Sequence, residues 1–244
     1  MGTAQIPATA NAIAYSTEDQ QRMSLARNYF AWQGRLVRQA LGRRVIEVGC
    51  GVGNFTEMLL DRDVVIAVDK EPSFVERLKL RYPNRRNLHA LVRDAASAGF
   101  ADLAQFRADT CVCLNVIEHI HDDREALSQM ASVLAPGGAI VLLAPAFPVL
   151  YGAIDANLGH FRRYDPASLR QLATAAGLRV RRLRYMNAAG FFGWWTNSRI
   201  FRREAQSARQ IELFDRYFVP LMSRLESAVP PPFGQSLFAV LQRP

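Results

Sequence analysis

The stretch VIEVGCGVGNFTEML, residues 45–59, decides the fold of this chain. A short β-branched run leads into three glycines, and helical sequence follows at residues 55–60. A strand, a glycine turn and a helix in this order leave backbone N–H groups free at the carboxyl edge of a parallel sheet. The stretch therefore predicts a nucleotide-like ligand at the turn, and the spacing of the glycines selects among such ligands.

The rest of the core alternates between apolar runs and helical segments. The apolar runs predict strands at residues 44–49, 64–69, 88–92, 110–115, 139–144, 178–186 and 235–242. Helices are predicted at residues 72–81, 123–134 and 165–176, the second of them stopped by Pro136-Gly137-Gly138. Continuous apolar strands separated by helices are typical of a parallel α/β sheet covered on both faces.

Two segments fall outside this alternation. Residues 1–42 hold a loose tail and an aromatic helix that covers the core, and residues 187–234 form a helical insert before the last strand. The α/β core is then residues 43–186, completed by its last strand at residues 235–244. The insert contains FFGWW at residues 191–195, followed by Arg199, Arg202 and Arg203. We expect it to be a lid over an acceptor, with a membrane-surface contact or a dimer interface as alternatives.

Composition restricts the possible classes of protein. The chain has 244 residues, half of them hydrophobic, which suits one core, and no apolar run reaches the roughly 18 residues of a membrane span. No secretory signal is visible, and the three cysteines in apolar segments predict a reducing cytoplasm and no metal site. The net charge is +8, of which residues 178–244 carry +7, so an anionic partner is expected there.

The glycine spacing argues against a dinucleotide. The pyrophosphate fingerprint G-x-G-x-x-G/A, counted from Gly49 and Gly51, places Asn54 where glycine or alanine is required. A cofactor with a ribose but without phosphates fits better, and a hydride-transfer enzyme that uses NAD is disfavoured. The next strand ends in Asp69, 20 residues after Gly49, where a carboxylate grips a ribose diol. The third strand ends before Asp94, which is placed to accept from an adenine amine.

This ordered set, completed by NVIEHI at residues 115–120, resembles the class I S-adenosylmethionine (SAM)-dependent methyltransferases over residues 40–186 and the last strand. EVGCGVG, VDKEP and RDAA are similar to their cofactor motifs, and NVIEHI to the fourth motif of small-molecule members such as the ubiquinone-type enzymes. The resemblance implies a Rossmann-like, seven-stranded, mostly parallel sheet with an antiparallel last strand. It also implies that SAM, and its product S-adenosylhomocysteine, contact Glu47, Gly49, Cys50, Gly51, Gly53, Asn54, Asp69, Lys70, Asp94, Ala95 and Asn115.

The acceptor side is less defined by sequence. Methyl transfer needs an aligned nucleophile and in some cases a base, and His119 and His160 are the candidate catalytic residues. The loop LYGAIDANLGHFRRYDP, residues 150–166, resembles a loop in a bacterial branch of these enzymes that is often encoded beside polyprenyl-phosphate glycosyltransferases. We expect Arg163 to clamp an anion, and Tyr29, Tyr151 and Tyr164 to line the acceptor pocket.

The favoured function is methyl transfer to an oxygen or nitrogen atom of a sugar, natural product or lipid-linked acceptor, by a monomer or homodimer. A nucleic-acid methyltransferase is the first alternative, because the C-terminal end is basic. Against it, strand four ends in NVIE and not in the Asn/Asp-Pro-Pro-aromatic motif, and no RNA-binding module is visible. A SAM-binding protein without transferase activity is the second alternative.

Overall fold

The computed structural model describes residues 20–201 and 207–244. The expected tail at residues 1–19 lies outside the described residues, as do Arg202 and Arg203. One sheet of seven strands organises the described chain, in the order β3-β2-β1-β4-β5-β7-β6. The strands are β1 Arg44–Val48, β2 Val64–Asp69, β3 Leu88–Val92, β4 Ala108–Leu114, β5 Leu134–Pro145, β6 Arg179–Met186 and β7 Ser236–Gln242. The predicted fold class is confirmed, since β7 runs antiparallel to both of its neighbours and the pairs from β1 to β5 are parallel.

The central strands are buried on both faces, which explains their continuous apolar sequence. In β1, Val45 faces one core and Ile46 the other, because successive side chains of a strand point to opposite faces. Ile46 is paired in register with Ile66 of β2 and Cys111 of β4. Each face of the sheet therefore needs its own cover of helices.

Helices cover both faces of the sheet, as predicted. They are α1 Arg27–Arg38, α2 Pro72–Arg81, α3 Asp123–Ser132, α4 Ala153–Asn157, α5 Pro166–Ala175, α6 Ala188–Trp195 and α7 Ala208–Ala228. Trp32 of α1 and Val219 of α7 are buried in the core on one face, and Met130 of α3 and Leu169 of α5 in the core on the other. Asp165 begins α5 by accepting a hydrogen bond from the backbone N–H of Ser168 at 2.7 Å, and Gly177 follows it with φ of +73°.

The structure differs from two local predictions. The helix predicted after the glycine turn at residues 55–60 is a short 3₁₀ helix, Thr56–Leu59. Pro136-Gly137-Gly138 does not stop a helix, because α3 ends at Ser132 and β5 already includes these residues. Gly137 has φ of +76°, and the pairing of β5 with β4 shifts register there, so the glycines serve an irregular strand start instead of a turn.

Helix α7 of the insert before β7 packs on the same face of the sheet as α1. Helices α6 and α7 flank a π-helical turn, Thr196–Ile200. Asp215 of α7 is buried, and its carboxylate accepts from the backbone N–H groups of Asn28 at 3.0 Å and Tyr29 at 2.8 Å. This side chain therefore supplies the cap that Ala26 at the start of α1 lacks.

No helix among the described residues combines the length and the apolar content needed to cross a membrane.

Candidate active site

The glycine turn lies where β1 ends, at the carboxyl edge of the sheet. Gly49, Gly51 and Gly53 have φ values of +71°, +51° and +84°, a region that other residues seldom occupy. The backbone N–H of Gly51 donates to a carboxylate oxygen of Asp69 at 2.9 Å. The other oxygen of Asp69 accepts from the N–H of Glu71 at 3.0 Å. Two backbone donors therefore hold this carboxylate in place at the end of β2.

Asp69 is almost fully buried, and burial raises the pKa of its carboxyl, while the two backbone hydrogen bonds act in the opposite direction. A carboxylate accepts more than two hydrogen bonds, so Asp69 retains capacity for a diol. Asp94 follows the neighbouring β3, where one of its oxygens accepts from the N–H of Ala96 at 2.9 Å. Its neighbour Ala95 is buried. The carboxylate acceptors at these two strand ends match the hydroxyl and amine donors of an adenosine.

Three further cofactor candidates lie around the turn. Glu47 is buried in β1 and accepts a hydrogen bond from the Thr56 hydroxyl at 2.7 Å. Burial raises the pKa of Glu47 to about 8. Cys50 is buried, and burial raises the pKa of its thiol. Asn115 directly follows β4 with φ of +54°, and its N–H donates to the Leu143 carbonyl at 2.8 Å. Such a backbone suits close approach of a ligand at the strand end.

Gln20 is a contact of the turn that no motif had indicated. Its side-chain oxygen accepts from the N–H of Val52 at 2.9 Å, and its backbone carbonyl accepts from the Asn54 side chain at 2.9 Å. A Cβ atom at Gly51 would overlap the Gln20 amide. The glycine at this position is therefore needed for the close packing of the Gln20 segment, and no local sequence pattern marks such a long-range contact.

A second polar cluster follows the ends of β4 and β5. The rings of His119 and His160 meet edge to face, with centroids 4.6 Å apart. Nδ1 of His160 lies 2.9 Å from a carboxylate oxygen of Asp155. Glu118 is buried beside them, and one of its oxygens has no hydrogen-bond partner. Glu118, His119 and His160 bring one ligand atom each within 4.8 Å of one another, so these three could hold a metal ion.

Burial sets the charge state of this cluster. It lowers the pKa of His119 to about 3 and raises that of Glu118 to about 7. The charges of His160 and of Lys70, an exposed residue after Asp69, also lower the pKa of His119. Burial alone would raise the pKa of Asp155, but hydrogen bonds and charge from His160 and Arg163 hold it below its usual value. Asp155 is therefore an ionised carboxylate within this cluster.

Arg163 does not face solvent. Its guanidinium donates to Asp155 at 2.9 Å and to the Ala146 carbonyl at 3.0 Å, and only 1% of the side chain is exposed. It lies 4.4 Å from the ring centre of Trp194 in α6. With three protein partners, this geometry favours a role in holding Asp155 over the anion clamp that the sequence suggested.

The three tyrosines have different surroundings. Tyr164 is buried, and its hydroxyl donates to Asp123 at 2.8 Å. The half-exposed Tyr151 donates to the backbone carbonyl of His160 at 2.7 Å. Burial raises the pKa of Tyr29, while hydrogen bonds with the side chains of Ser236, Gln33 and Asn187 act in the opposite direction. Tyr151 is thus the tyrosine whose hydroxyl contacts His160 directly.

Asp155 and Trp194 were not selected from the sequence as site residues. The signal for Asp155 was its spacing, five residues before His160, since the short helix α4 and the turn after it bring the two side chains together. Trp194 gave no usable signal, because it lies in an aromatic run where every residue looked alike.

Comparisons with known proteins identify the family of this chain. The chain belongs to a methyltransferase domain family whose model matches residues 17–183. A Mycolicibacterium smegmatis protein named for the SAM-dependent methyltransferases is 30% identical over 149 residues, which cover 60% of this chain and 56% of that protein. The ubiquinone biosynthesis O-methyltransferase of Aeromonas salmonicida is 24% identical over 156 residues, covering 57% of this chain and 64% of the relative. The chain thus spans somewhat over half the length of these relatives.

A solved structure supports the fold over nearly the whole chain. The methyltransferase in complex with the Trm112 methyltransferase activator of Haloferax volcanii has a TM-score of 0.65 and 19% identity, with 97% of each chain covered. At this identity the likeness shows the fold alone. The family model and the fold define a methyltransferase domain with SAM as its cofactor.

Proposed function

We propose that this chain transfers a methyl group from SAM to an oxygen or nitrogen atom of a small-molecule acceptor. The observation that carries the proposal is the pair formed by His160 and Asp155, with 2.9 Å between Nδ1 and the carboxylate oxygen. Both residues lie in the loop region that follows β5. The similarity to an O-methyltransferase that acts in ubiquinone biosynthesis supports a hydroxyl acceptor.

The cofactor supplies a methyl group already activated by a sulfonium, so the chain has to bind, align and handle one proton. Asp69 would hold the ribose hydroxyls, Asp94 and Ala95 the adenine, and the backbone of Gly49 and Asn115 the remaining length of the cofactor. Asp94 shares with Asp69 the geometry of a carboxylate fixed by backbone N–H groups. These carboxylates therefore need no rearrangement to accept from a ligand.

His160 is the proposed base. Asp155 accepts from Nδ1–H, which fixes the tautomer and leaves Nε2 free to take a proton from the acceptor hydroxyl or amine. Arg163 donates to the same carboxylate oxygen and holds Asp155 in place, so it is a positioning residue. His119, Tyr29, Tyr151 and Tyr164 are proposed to shape the acceptor pocket.

The test compares Asp155→Asn with wild type, using methyl-labelled SAM and a panel of sugar, phenol and amine acceptors. Asparagine removes the charge that stabilises a protonated His160, so turnover should fall about a hundredfold while SAM affinity stays within about twofold. Asp165→Asn is the matched control, because Asp165 lies ten residues away and only caps α5. Unchanged turnover in Asp155→Asn would contradict the base assignment, and SAM binding without transfer to any acceptor would favour a non-catalytic protein.

A further inference from the structure

Helix α7 carries an exposed apolar stripe that the fold does not use. Leu213, Tyr217, Leu221 and Leu225 recur every four residues and so lie on one side of the helix, and they are between 46% and 62% exposed. The opposite side contains Ile211, Asp215 and Val219, which are buried in the protein. The stripe therefore adds nothing to the core, and a 21-residue amphipathic helix presents it to the outside.

Helix α6 adds aromatic side chains next to α7, against which it packs. Phe192 and Trp195 are 57% and 44% exposed, whereas Trp194 between them is buried. We call the stripe on α7 together with Phe192 and Trp195 the apolar surface. Exposed aromatic and leucine side chains grouped on adjacent helices mark an interaction surface more strongly than single exposed residues do.

The basic residues of α7 are exposed, whereas most of its acidic residues are buried. Its three arginines, Arg209, Arg216 and Arg224, are exposed. Two of its three acidic residues are buried: Asp215 caps α1, and Glu226 accepts from the backbone N–H groups at the start of α6 at 2.8 Å and 2.9 Å. Glu212 is the exposed carboxylate that remains on this helix. The helix thus offers apolar contact and positive charge together, which suits a partner that is both apolar and anionic.

A second copy of the chain fits this surface less well. A two-fold contact would place the arginines of α7 near their own symmetry mates, with Glu212 as the carboxylate of that helix to offset them. Lipid phosphates offset the same arginines fully, and an aromatic and leucine face is adapted to the boundary between headgroups and acyl chains. The helix is amphipathic and does not qualify as a span, so it would lie in the plane of the surface.

The apolar surface is joined to the candidate active site through α6. Trp194 covers the Arg163 guanidinium that holds Asp155, and the next residue, Trp195, is exposed. We propose that α6 and α7 dock the protein on an anionic lipid surface. The acceptor would then be an amphiphile carried by that membrane, and this part of the proposal rests on the proposed function. Docking would hold the loop with His160 close to that surface.

The docking test uses vesicle co-sedimentation, and needs neither SAM nor acceptor. The probes are vesicles of phosphatidylcholine with and without phosphatidylglycerol. Wild type should partition at least about tenfold more strongly to the anionic vesicles, and high salt should weaken the binding. The double variant Leu221→Glu, Leu225→Glu should lose at least about tenfold, because it places two carboxylates on the stripe. The matched control is Leu80→Glu, Val92→Glu, two exposed apolar residues on another part of the molecule.

A second pair of variants separates charge from apolar contact. Arg216→Ser, Arg224→Ser should lose about tenfold or more on anionic vesicles, while Arg85→Ser, Arg86→Ser, which alters exposed arginines between α2 and β3, should stay within about threefold. Equal partition of wild type and the stripe variant would overturn the proposal. So would a dimer that the stripe variant abolishes while vesicle binding is absent. SAM affinity is measured in parallel with vesicle binding. If the protein binds SAM but not vesicles, docking fails and the proposed methyl transfer stands. If it binds vesicles but not SAM, the docking proposal stands.

Discussion

Glu47 shows how a single residue of the site can make the stability of the protein depend on pH. It is a buried carboxyl whose hydrogen-bond donor is the Thr56 hydroxyl, and burial raises its pKa to about 8. The unfolded chain releases this proton near the ordinary glutamate value of about 4.5. Between these two values the folded state binds the proton and the unfolded state does not, so the free energy of unfolding should fall as pH rises.

The variant Glu47→Gln replaces this carboxyl with an amide that does not titrate. Urea unfolding of the ligand-free protein between pH 5 and pH 8 should show wild type losing stability relative to the variant, by up to about 1.4 kcal/mol per pH unit. Glu57→Gln, at an exposed glutamate on the adjacent 3₁₀ helix, is the control and should follow wild type. A wild type that instead gains stability relative to Glu47→Gln over this range would show that the carboxyl is ionised and paired in the folded state.

At the residue scale, the sequence predicted which residues lie at the strand ends better than it predicted the surroundings of Arg163. Asp69 and the glycines follow from strand ends and backbone geometry, which are local properties of sequence. Arg163 looked like a free cation, because its buried partners Asp155 and Trp194 are 8 and 31 residues away along the chain. Long-range pairing of this kind has no local signature.

At the scale of elements, α7 and α1 depend on each other. The first turn of α1 has no side-chain cap of its own, and Asp215 accepts from two of its backbone N–H groups. Strands β1 and β2 were predicted nearly to the residue because burial on both faces leaves a continuous apolar run, whereas β5 begins at Leu134, five residues before the predicted start. Pro136-Gly137-Gly138 was misread because the same residues suit a helix stop and an irregular strand start.

Asp215→Ala should therefore destabilise the protein by about 2 kcal/mol or more, because two helix N–H groups lose their acceptor inside the protein. Chemical denaturation measures the loss. Glu212→Ala removes an exposed acid three residues earlier on α7 and should change stability by less than about 0.5 kcal/mol. Equal, small effects of both variants would mean that α1 is held by its apolar face alone.

At the scale of the whole molecule, the parallel strands bring the candidate groups at their ends together at one edge of the sheet. The glycine turn, Asp69, Asp94 and Asn115 come from the ends of β1 to β4, and the loop that holds His160 follows β5. The insert before β7 links this edge to the apolar surface through α6. The sequence predicted the insert and its aromatic content, but not which tryptophan is buried, since that depends on the packing of α6 over the loop with Arg163.

The most direct test of the central claim is calorimetric titration of the protein with SAM, S-adenosylhomocysteine and NAD. Wild type should bind the first two and not NAD. Asp69→Ala, checked for folding, should bind them about 10- to 100-fold more weakly, because it loses hydrogen bonds to a charged acceptor. Asp102→Ala, at an exposed aspartate, should match wild type. Binding of NAD, or an affinity for SAM that Asp69→Ala leaves unchanged, would contradict the assignment of the glycine turn as the cofactor site.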